Sequence, residues 1–310
     1  MEFPDSSRSV VTMTATVAAP RPKSLSRAAL VAVTLVATAA GVFALSVWTP
    51  AGQRIDQWFL EVCRSLPPVT ELPAALGVEA VTSPLLWVGV AVAVIVFSQC
   101  RRFGSRREAR RGVASTLTLL AFAPLAILGA RFLRDHVLTR PQLHAWISET
   151  ANSAPSGHAA AATAIVVVLA LATPPIVRPI TLAVSGTWAA VIEFELVASG
   201  WHRPSDVVIS TLLVIGLGVL LPDPWQFASR RAPRFCGAIA GLAIVVAAPT
   251  IVALHYPTIT QIAAAGAIAT IMAVAVVALS FNPVRSDSRN RRSETVAPES
   301  APSLDYADRI

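Results

Sequence analysis

Long apolar stretches separated by short polar segments are the dominant pattern of the chain. Each stretch comes close to the roughly 20 residues that an α-helix needs to cross about 30 Å of bilayer hydrocarbon. Several stretches contain Ala, Gly, Ser and Thr, small residues that allow helices to approach closely in lipid. The pattern predicts eight membrane-spanning helices, at residues 28–48, 83–99, 113–133, 157–173, 180–200, 205–221, 236–254 and 260–281.

The composition indicates the same surroundings. Of the 310 residues, 54 % are hydrophobic and 14 % are charged, and the mean hydropathy is +0.62, so the polar side chains are too few to cover a soluble globule. The net charge of +7 would also fit a nucleic-acid partner, but the arginines cluster between apolar stretches and form no basic face interleaved with aromatic residues. We therefore predict an all-α, polytopic membrane bundle surrounded by membrane lipids, with no nucleic-acid partner.

The distribution of Arg and Lys predicts the orientation of the bundle. Cytoplasmic segments of membrane proteins retain positive charge, so the side that collects 19 of the 25 basic residues is assigned to the cytoplasm. Both termini then lie in the cytoplasm, and residues 28–281 form a multi-pass domain of the cell membrane. The extracytoplasmic side keeps six arginines, Arg54, Arg64, Arg131, Arg134, Arg140 and Arg203.

The segments outside the apolar stretches differ in character. Residues 1–27 and 282–310 are rich in Ser, Pro and charged residues without periodicity, which is typical of disordered tails. The longest outer connection, residues 50–82, contains apolar residues around Trp58 and Phe59. Two structures fit it equally well: an amphipathic helix lying on the outer surface, or an ordinary packed loop helix.

The three cysteines, Cys63, Cys100 and Cys236, are far apart in the sequence and fall on different predicted sides of the membrane. Cys63 is expected outside, and the other two at cytoplasmic helix ends. This distribution favours neither a disulfide framework nor a metal motif. We predict that the protein uses no metal and no cofactor.

Four of the six extracytoplasmic arginines lie in two short segments, at the outer ends of the third and fifth predicted helices. Such clustering runs against the usual charge bias and indicates an anion at this face. The first segment, residues 131–141, carries three arginines and ends in Arg-Pro, and the tetrapeptide Pro-Ser-Gly-His follows at residues 155–158. The second segment, residues 199–206, reads Ser-Gly-Trp-His-Arg-Pro-Ser-Asp.

These residue types suit a phosphate group. Ser156 and Gly157 would present backbone N–H groups at a helix N-terminus, where the helix dipole favours an anion. Arg134 and Arg140 would neutralise charge that develops on the phosphoryl oxygens. His158, in the first turn of the same helix, would protonate a leaving oxygen.

The second segment has the spacing of an oriented histidine. Pro204 suits the first position of a helix, which places His202 just before that helix and Asp206 in its first turn. A carboxylate there holds one imidazole nitrogen and leaves the other free to attack phosphorus.

The three segments resemble the signature motifs of the type 2 phosphatidic acid phosphatases, which share their site with vanadium haloperoxidases. The family's Pro-Ser-Gly-His motif matches fully at residues 155–158, its Arg-Pro pair matches at Arg140, and the His and Asp of its third motif are in register at His202 and Asp206. The resemblance covers about residues 113–221 and implies a six-helix core, to which the last two predicted helices add a hairpin. It also implies that His202 is the nucleophile that forms a phosphohistidine, Asp206 its orienting partner and His158 the general acid.

The chain departs from the family motifs at two places. Arg134 stands one residue closer to the Arg-Pro pair than the family's lysine does. Glu195 and Leu196 replace a Ser-Arg pair of the third motif, so one phosphate-binding arginine is missing. We predict that Arg203, adjacent to His202, substitutes for it.

Two glutamates lie inside the fifth predicted helix, Glu193 and Glu195. An ionised carboxylate there costs about 2.5 kcal/mol or more unless it faces protein or water. Glu195 either pairs with one of the arginines around the motifs, forms part of a proton relay, or is a protonated residue near the helix end.

Together the sequence predicts a metal-independent phosphatase of a lipid phosphate monoester or polyprenyl pyrophosphate, acting at the extracytoplasmic face. Polyprenyl pyrophosphate, phosphatidic acid and phosphatidylglycerol phosphate are the substrates that the resemblance suggests. The alternative is a non-catalytic lipid-phosphate binder or carrier that lost turnover with the missing arginine. A haloperoxidase is disfavoured, because those enzymes are soluble and resemble the chain only at the motifs.

Overall fold

The computed structural model describes residues 27–64, 77–99, 106–147, 151–221, 232–256 and 258–280. All regular secondary structure within these ranges is helical, and the prediction of an all-α, polytopic helical bundle is confirmed. The predicted disordered tails, residues 1–27 and 282–310, lie outside the described residues except for Arg27, at which the first helix begins.

Each of the eight apolar stretches forms a helix, with three further helical segments at the end of the bundle that carries the motifs. The elements are α1 (Arg27–Trp48), α2 (Pro50–Arg64), α3 (Val78–Thr82), α4 (Pro84–Gln99), α5 (Arg106–Phe132), a π-helical turn (Leu133–Val137), α6 (Gly157–Ala172), α7 (Arg178–Ala198), α8 (Pro204–Val219), α9 (Ala232–Ala253) and α10 (Ile259–Ser280).

The lengths of these helices agree with a membrane protein. Within the described residues α1, α7, α10 and the segment Val113–Val137 are long and apolar enough to cross a bilayer, while α4, α6, α8 and α9 contain shorter apolar segments. Many large apolar side chains on the outside of the bundle are exposed, for example Leu85, Ile180 and Leu242. Lipid is the surrounding in which such a surface is stable.

Helix α6 lies at the centre of the bundle. Apart from His158 and Leu169, its residues are buried, and it packs against α4, α5, α7 and α8. Its first turns contain four consecutive alanines, residues 159–162, which leave room for neighbouring backbones. The central helix therefore carries His158 at its N-terminal end into a position surrounded by the other motif segments.

Helices α9 and α10 form the predicted C-terminal hairpin. They pack against each other and against α7, and α10 also contacts α8. Ile244 of α9 and Met272 of α10 belong to the same buried apolar cluster as Phe194 of α7. The hairpin thus completes the core on the side of α7.

Helix α2 is amphipathic with an unusual orientation. Its polar residues Gln53, Asp56 and Gln57 are buried against the bundle, whereas Trp58 and Ile55 are more than half exposed. The structure thus favours the packed loop helix over a helix that rests on the surface by its apolar face. The packed face of α2 is its polar face, and it is turned toward the motif segments.

We expect the packing of α8 against α6 to be intolerant of larger side chains. A Cβ atom at Gly218 would lie 2.7 and 2.9 Å from the two methyl carbons of Val167. Gly218→Leu should therefore lower the free energy of unfolding by about 1–3 kcal/mol, the usual cost of overpacking. The matched control is Gly129→Leu, since a Cβ atom there meets nothing within 4 Å. Thermal unfolding in detergent measures both variants, and equal midpoints would contradict the expectation.

Candidate active site

The motif segments meet at one end of the bundle. The site lies where α5 ends, α6 begins, α7 ends and α8 begins, so each segment is fixed by a different helix. The backbone N–H of Ser156, before α6, donates to the carbonyl of Asp206 in α8 over 3.3 Å. This bond ties the Pro-Ser-Gly-His segment directly to the His-Asp segment.

The turn after α7 places His202. Gly200 has a φ of 76°, the left-handed conformation that commonly ends a helix and that glycine adopts without strain. The carbonyl of Leu196 then accepts the backbone N–H groups of Trp201 and His202, over 3.0 and 3.1 Å. Helix α8 begins two residues after His202, with Pro204 at its first position as predicted.

His202 and Asp206 face each other as the spacing predicts. His202 Nδ1 lies 3.6 Å from Asp206 Oδ2, an ion-pair distance that is too long for a hydrogen bond. Asp206 Oδ2 accepts instead from the Ser153 hydroxyl at 2.6 Å and from the backbone N–H of Arg203 at 3.0 Å. Both side chains are buried, and the arrangement leaves His202 Nε2 on the side of the ring away from the carboxylate.

His158 lies beside this pair. Its ring centroid is 6.2 Å from that of His202 and 5.4 Å from the ring of Trp201, which it meets edge to face. His158 is half-buried, whereas Trp201 is mostly exposed. The two imidazoles are thus close enough to act on opposite sides of one small group.

The start of α6 differs from the expectation in one respect. The Ser156 hydroxyl caps the helix by accepting from the backbone N–H of Ala159 at 3.2 Å, as N-cap serines do. However, the backbone N–H of Ser156, which the sequence predicts to be free for phosphate, is used in the bond to Asp206. The prediction of a free N–H group is therefore wrong for Ser156, because the chain needs that group to join two segments, and it remains untested for Gly157.

The loop before α6 is held by Asn152. Its side-chain amide donates to the carbonyls of Arg134, Leu138 and Ala154 over 3.0–3.1 Å, and its oxygen accepts from the backbone N–H of Ala154 at 3.2 Å. One side chain therefore connects the end of the π-helical turn to the Pro-Ser-Gly-His segment.

Arg140 brings a positive charge into the site, close to the carboxylates of Asp206 and Asp56. Both terminal nitrogens of its guanidinium are buried, and neither has a hydrogen-bond partner among the described residues. Burial and then the neighbouring charge of Arg203 lower the pKa of Arg140, because both disfavour its positive form. A guanidinium whose terminal nitrogens lack acceptors among the described residues has the donors and the charge to bind an anion.

Arg203 is buried close to Arg140. Its Nε donates to Gln57 Oε1 at 3.3 Å and its Nη1 donates to the Ser153 hydroxyl at 3.2 Å. Only 3 % of Arg203 is exposed, so it is an internal residue and not a headgroup anchor at the surface. Its position beside Arg140 places two positive charges in one buried region.

The other two arginines of the first segment lie nearer His158. Arg134 pairs with its neighbour Asp135 through an Nε–Oδ1 contact of 2.8 Å, so part of its charge is already balanced. The side chain of Arg131 lies over the start of α6, because a Cβ atom on Gly157 would be 3.6 Å from Arg131 Nε. The structure thus places the Arg131 side chain at the Pro-Ser-Gly-His motif.

A comparison with protein families matches this region. Residues 135–230 match the family model described as the PAP2 superfamily. This part of the chain belongs to the PAP2 superfamily. The comparison with curated proteins and the comparison with solved structures give no match. The PAP2 region contains Arg140 and both histidine segments, begins immediately after Arg134, and excludes α1 to α5 and the C-terminal hairpin.

The register of the missing PAP2 arginine is occupied by core residues. Leu196 is fully buried and belongs to the apolar cluster between α7 and the hairpin. Glu195 accepts a hydrogen bond of 2.8 Å from the Tyr256 hydroxyl, and its other oxygen is buried without a partner. In the part of the chain that the structure describes, the hydrogen-bond partner of this carboxylate is Tyr256, so pairing with the arginines around the motifs receives no support.

Glu193 has a separate partner set, deeper in the bundle. One of its carboxylate oxygens accepts from the hydroxyls of Thr163 and Thr211 over 2.9 and 2.7 Å. Thr163 stands five positions after His158 in α6, and Thr211 stands five positions after Asp206 in α8. Both threonines are thus more than one helical turn further along their helices. The glutamate thus joins three helices below the PAP2 motifs.

Several residues at the site escape sequence reasoning. Asp56 and Gln57 reach it from α2, and Ser153 bonds Asp206 from the loop before α6. Arg64, which its sequence position places far from the motifs, lies against Gly200. No motif marks these positions, and the only signal is a cluster of polar residues on one face of α2. Among the described residues, no three His, Cys, Asp or Glu side chains are grouped for a metal ion.

Proposed function

We propose that the chain is a membrane-bound phosphatase that hydrolyses a lipid phosphate monoester or a polyprenyl pyrophosphate through a phosphohistidine. Membership of the PAP2 superfamily supports a phosphatase-type activity. The observation that carries the proposal is the grouping of His158, His202 and Asp206 beside Arg140, whose terminal nitrogens have no hydrogen-bond partner among the described residues. A nucleophile, a proton donor and an anion-binding group are the parts that phosphoryl transfer requires.

In the proposed reaction, His202 Nε2 attacks phosphorus and the bond to the leaving oxygen breaks. His158 gives its proton to that oxygen, so a monoester releases the lipid alcohol and a pyrophosphate releases a lipid phosphate that carries the added proton. Water then attacks the phosphohistidine, His158 takes a proton from the water, and inorganic phosphate departs with His202 restored. Asp206 acts through His202 Nδ1, since it holds the ring and stabilises the positive imidazole formed on phosphorylation.

Electrostatics support a phosphate at this place. Arg203 and the terminal nitrogens of Arg140 are buried, and charge interactions are stronger in such surroundings than in water. Arg131 and Arg134 add positive charge on the side of His158. Arg203 would supply the cation that the PAP2 motif normally takes from the position of Leu196.

The proposed site faces the extracytoplasmic side of the cell membrane, with both termini in the cytoplasm. The support is the charge bias of the connections, of which the cytoplasmic ones carry most of the basic residues. The site lies at the end of the bundle that carries the six arginines assigned to the extracytoplasmic side. The connection at residues 173–177 lies at the opposite end.

A second candidate is a lipid-phosphate binder without turnover. The observation in its favour is that Leu196 is buried in the apolar core, so no guanidinium can act from that position of the motif. Binding of a phosphate requires only the cations, whereas turnover also requires the two histidines to be correctly placed.

We expect His202→Ala to lower kcat by at least about 10³-fold, because it removes the nucleophile. Asp206→Asn should leave a measurable residual rate through an imidazole that is poorly oriented. His158→Ala should lower the rate most for lipid phosphates, since an activated aryl phosphate needs less proton donation. Release of inorganic phosphate by purified protein measures all three rates.

The matched control for the histidine variants is His255→Ala, since that ring, just after α9, bonds only the carbonyl of Ile251 among the described contacts. It should keep near-parental activity. A His202→Ala protein that releases phosphate at the parental rate would exclude a phosphohistidine on this residue.

We expect Arg140→Ala and Arg203→Ala each to lower kcat/KM by roughly 10²-fold, the usual loss when a transition-state charge partner is removed. Inhibition by orthovanadate, a phosphate mimic, should weaken in both. Arg54→Ala is the control, because Arg54 is exposed on α2; Arg64 is unsuitable because it contacts Gly200. If Arg203→Ala and Arg54→Ala gave the same kinetics, Arg203 would have no part in binding phosphate.

A parent protein that binds lipid phosphates without releasing inorganic phosphate would favour the second candidate, a lipid-phosphate binder without turnover.

The orientation can be tested with introduced cysteines. Native Cys63 is 1 % exposed, and burial raises its pKa to about 11, so it is a poor reporter for a maleimide that reacts with thiolate. In a background that lacks the native cysteines, Glu79→Cys in α3 should react with a membrane-impermeant maleimide on intact cells. Ile176→Cys, in the connection between α6 and α7, should react only after the membrane is opened. Both positions are exposed, and the reverse labelling pattern would place the site in the cytoplasm.

A further inference from the structure

The buried polar face of α2 contacts two of the segments that build the site. Gln53 donates to the carbonyl of Pro141 at 2.7 Å, next to Arg140. Asp56 accepts from both the backbone N–H and the hydroxyl of Ser205, over 3.0 and 2.7 Å. Helix α2 lies outside residues 135–230, the region matched by the PAP2 family model.

The contact between Asp56 and Ser205 acts on the first turn of α8. Ser205 is the second residue of that helix, where backbone N–H groups have no partner within the helix. A carboxylate that accepts such a group also interacts favourably with the positive end of the helix dipole. Asp56 thus satisfies a backbone group of the residue that immediately precedes Asp206.

We propose that Asp56 is a positioning residue of the site, which acts through Ser205 to keep the Asp206 carboxylate directed at His202. This inference rests on the proposed phosphatase function. Asp206 itself lies in the first turn of α8. Its carboxylate is close enough to that of Asp56, on α2, for the two to repel each other. Without Asp56, the N–H and hydroxyl of Ser205 would lose their acceptor, and Asp206 could turn toward them and away from the imidazole.

The charge state of Asp56 agrees with this role. Burial and then the negative charge of Asp206 raise the pKa of Asp56 to about 6, while the bonds from Ser205 oppose the rise. A carboxyl group with this pKa is mostly ionised at neutral pH. It can therefore accept two hydrogen bonds at once, which a neutral amide in its place cannot do with the same geometry.

The remaining side chains of the α2 face hold neighbouring parts. Gln57 Oε1 accepts from Arg203 Nε at 3.3 Å, and Gln53 Oε1 accepts from the backbone N–H of Leu143 at 3.4 Å. Asp56 differs from both glutamines in that it accepts hydrogen bonds from Ser205, the residue that immediately precedes Asp206. Its loss should therefore affect the chemical step more than the binding of phosphate.

The test compares Asp56→Asn with Arg54→Gln, a neighbouring change on the exposed face of α2. Asp56→Asn should lower kcat by about 10- to 100-fold, the size expected when a catalytic group is misplaced by about 1 Å or less, with KM changed less than 3-fold. Arg54→Gln should keep both constants. Rates are expressed per amount of monodisperse protein, and the unfolding midpoint in detergent is measured beside them.

A second variant separates positioning from general stability. Ser205→Ala removes the hydroxyl that Asp56 accepts, and should give a smaller loss of kcat. If Asp56 acts through Ser205, the double variant should lose less than the product of the two single effects, since coupled residues are not additive. Losses that multiply, or a fall in kcat that only follows the loss of folded protein, would overturn the positioning role.

The outcomes also distinguish this inference from the proposed function. If the parent releases no phosphate from any lipid phosphate, the phosphatase proposal fails and the role of Asp56 fails with it. If the parent is active and Asp56→Asn matches Arg54→Gln, only the role of Asp56 is overturned.

Discussion

The first turn of α8 is the point at which the parts of the site are joined, and Asp206 makes most of the connections. Its carbonyl accepts from Ser156 before α6, and one carboxylate oxygen accepts from Ser153 and from the backbone of Arg203. The same oxygen faces His202. Because Asp206 is fully buried, these bonds are protected from competition with water. The position of His202 therefore depends on a carboxylate that also holds two loops together.

Four charged side chains lie close together in this region of the site. Two carboxylates, Asp56 and Asp206, lie near two guanidiniums, Arg140 and Arg203, so the fixed charges of the region are formally balanced. The carboxylates are occupied by hydrogen bonds from Ser205, Ser153 and the Arg203 backbone, whereas the terminal nitrogens of Arg140 lack partners among the described residues. An unsatisfied buried donor costs about 1–3 kcal/mol, and more when it is charged. An anion that accepts hydrogen bonds from the terminal nitrogens of Arg140 would satisfy these buried donors.

Hydropathy was sufficient to locate the helices, because a backbone in lipid must satisfy its own hydrogen bonds and long apolar stretches have little choice but to form helices. The motif residues His158, His202 and Asp206 were also identified correctly as neighbours, since each stands at a helix end where spacing along the chain determines position. The role of α2 could not be found in this way. An amphipathic sequence shows that a helix has two faces, but the partner of each face is decided by contacts such as Asp56 with Ser205, 149 residues apart. The same limit explains why the partner of Glu195, Tyr256, was not predicted.

The missing arginine of the third motif has a physical explanation in the packing of α7. The side chain at position 196 lies in the apolar cluster shared with the C-terminal hairpin, where Ile244 and Met272 are also fully buried. An arginine there would place a charge among apolar groups, at a cost of several kcal/mol unless it were paired. The adjacent Glu195 is directed at Tyr256 of the hairpin and supplies no such pair to position 196. Once the hairpin covers this face of α7, a cation for the site has to enter from a loop. Arg140 and Arg203 both do so, and Gln57 of α2 and Ser153 hold the second of them in place.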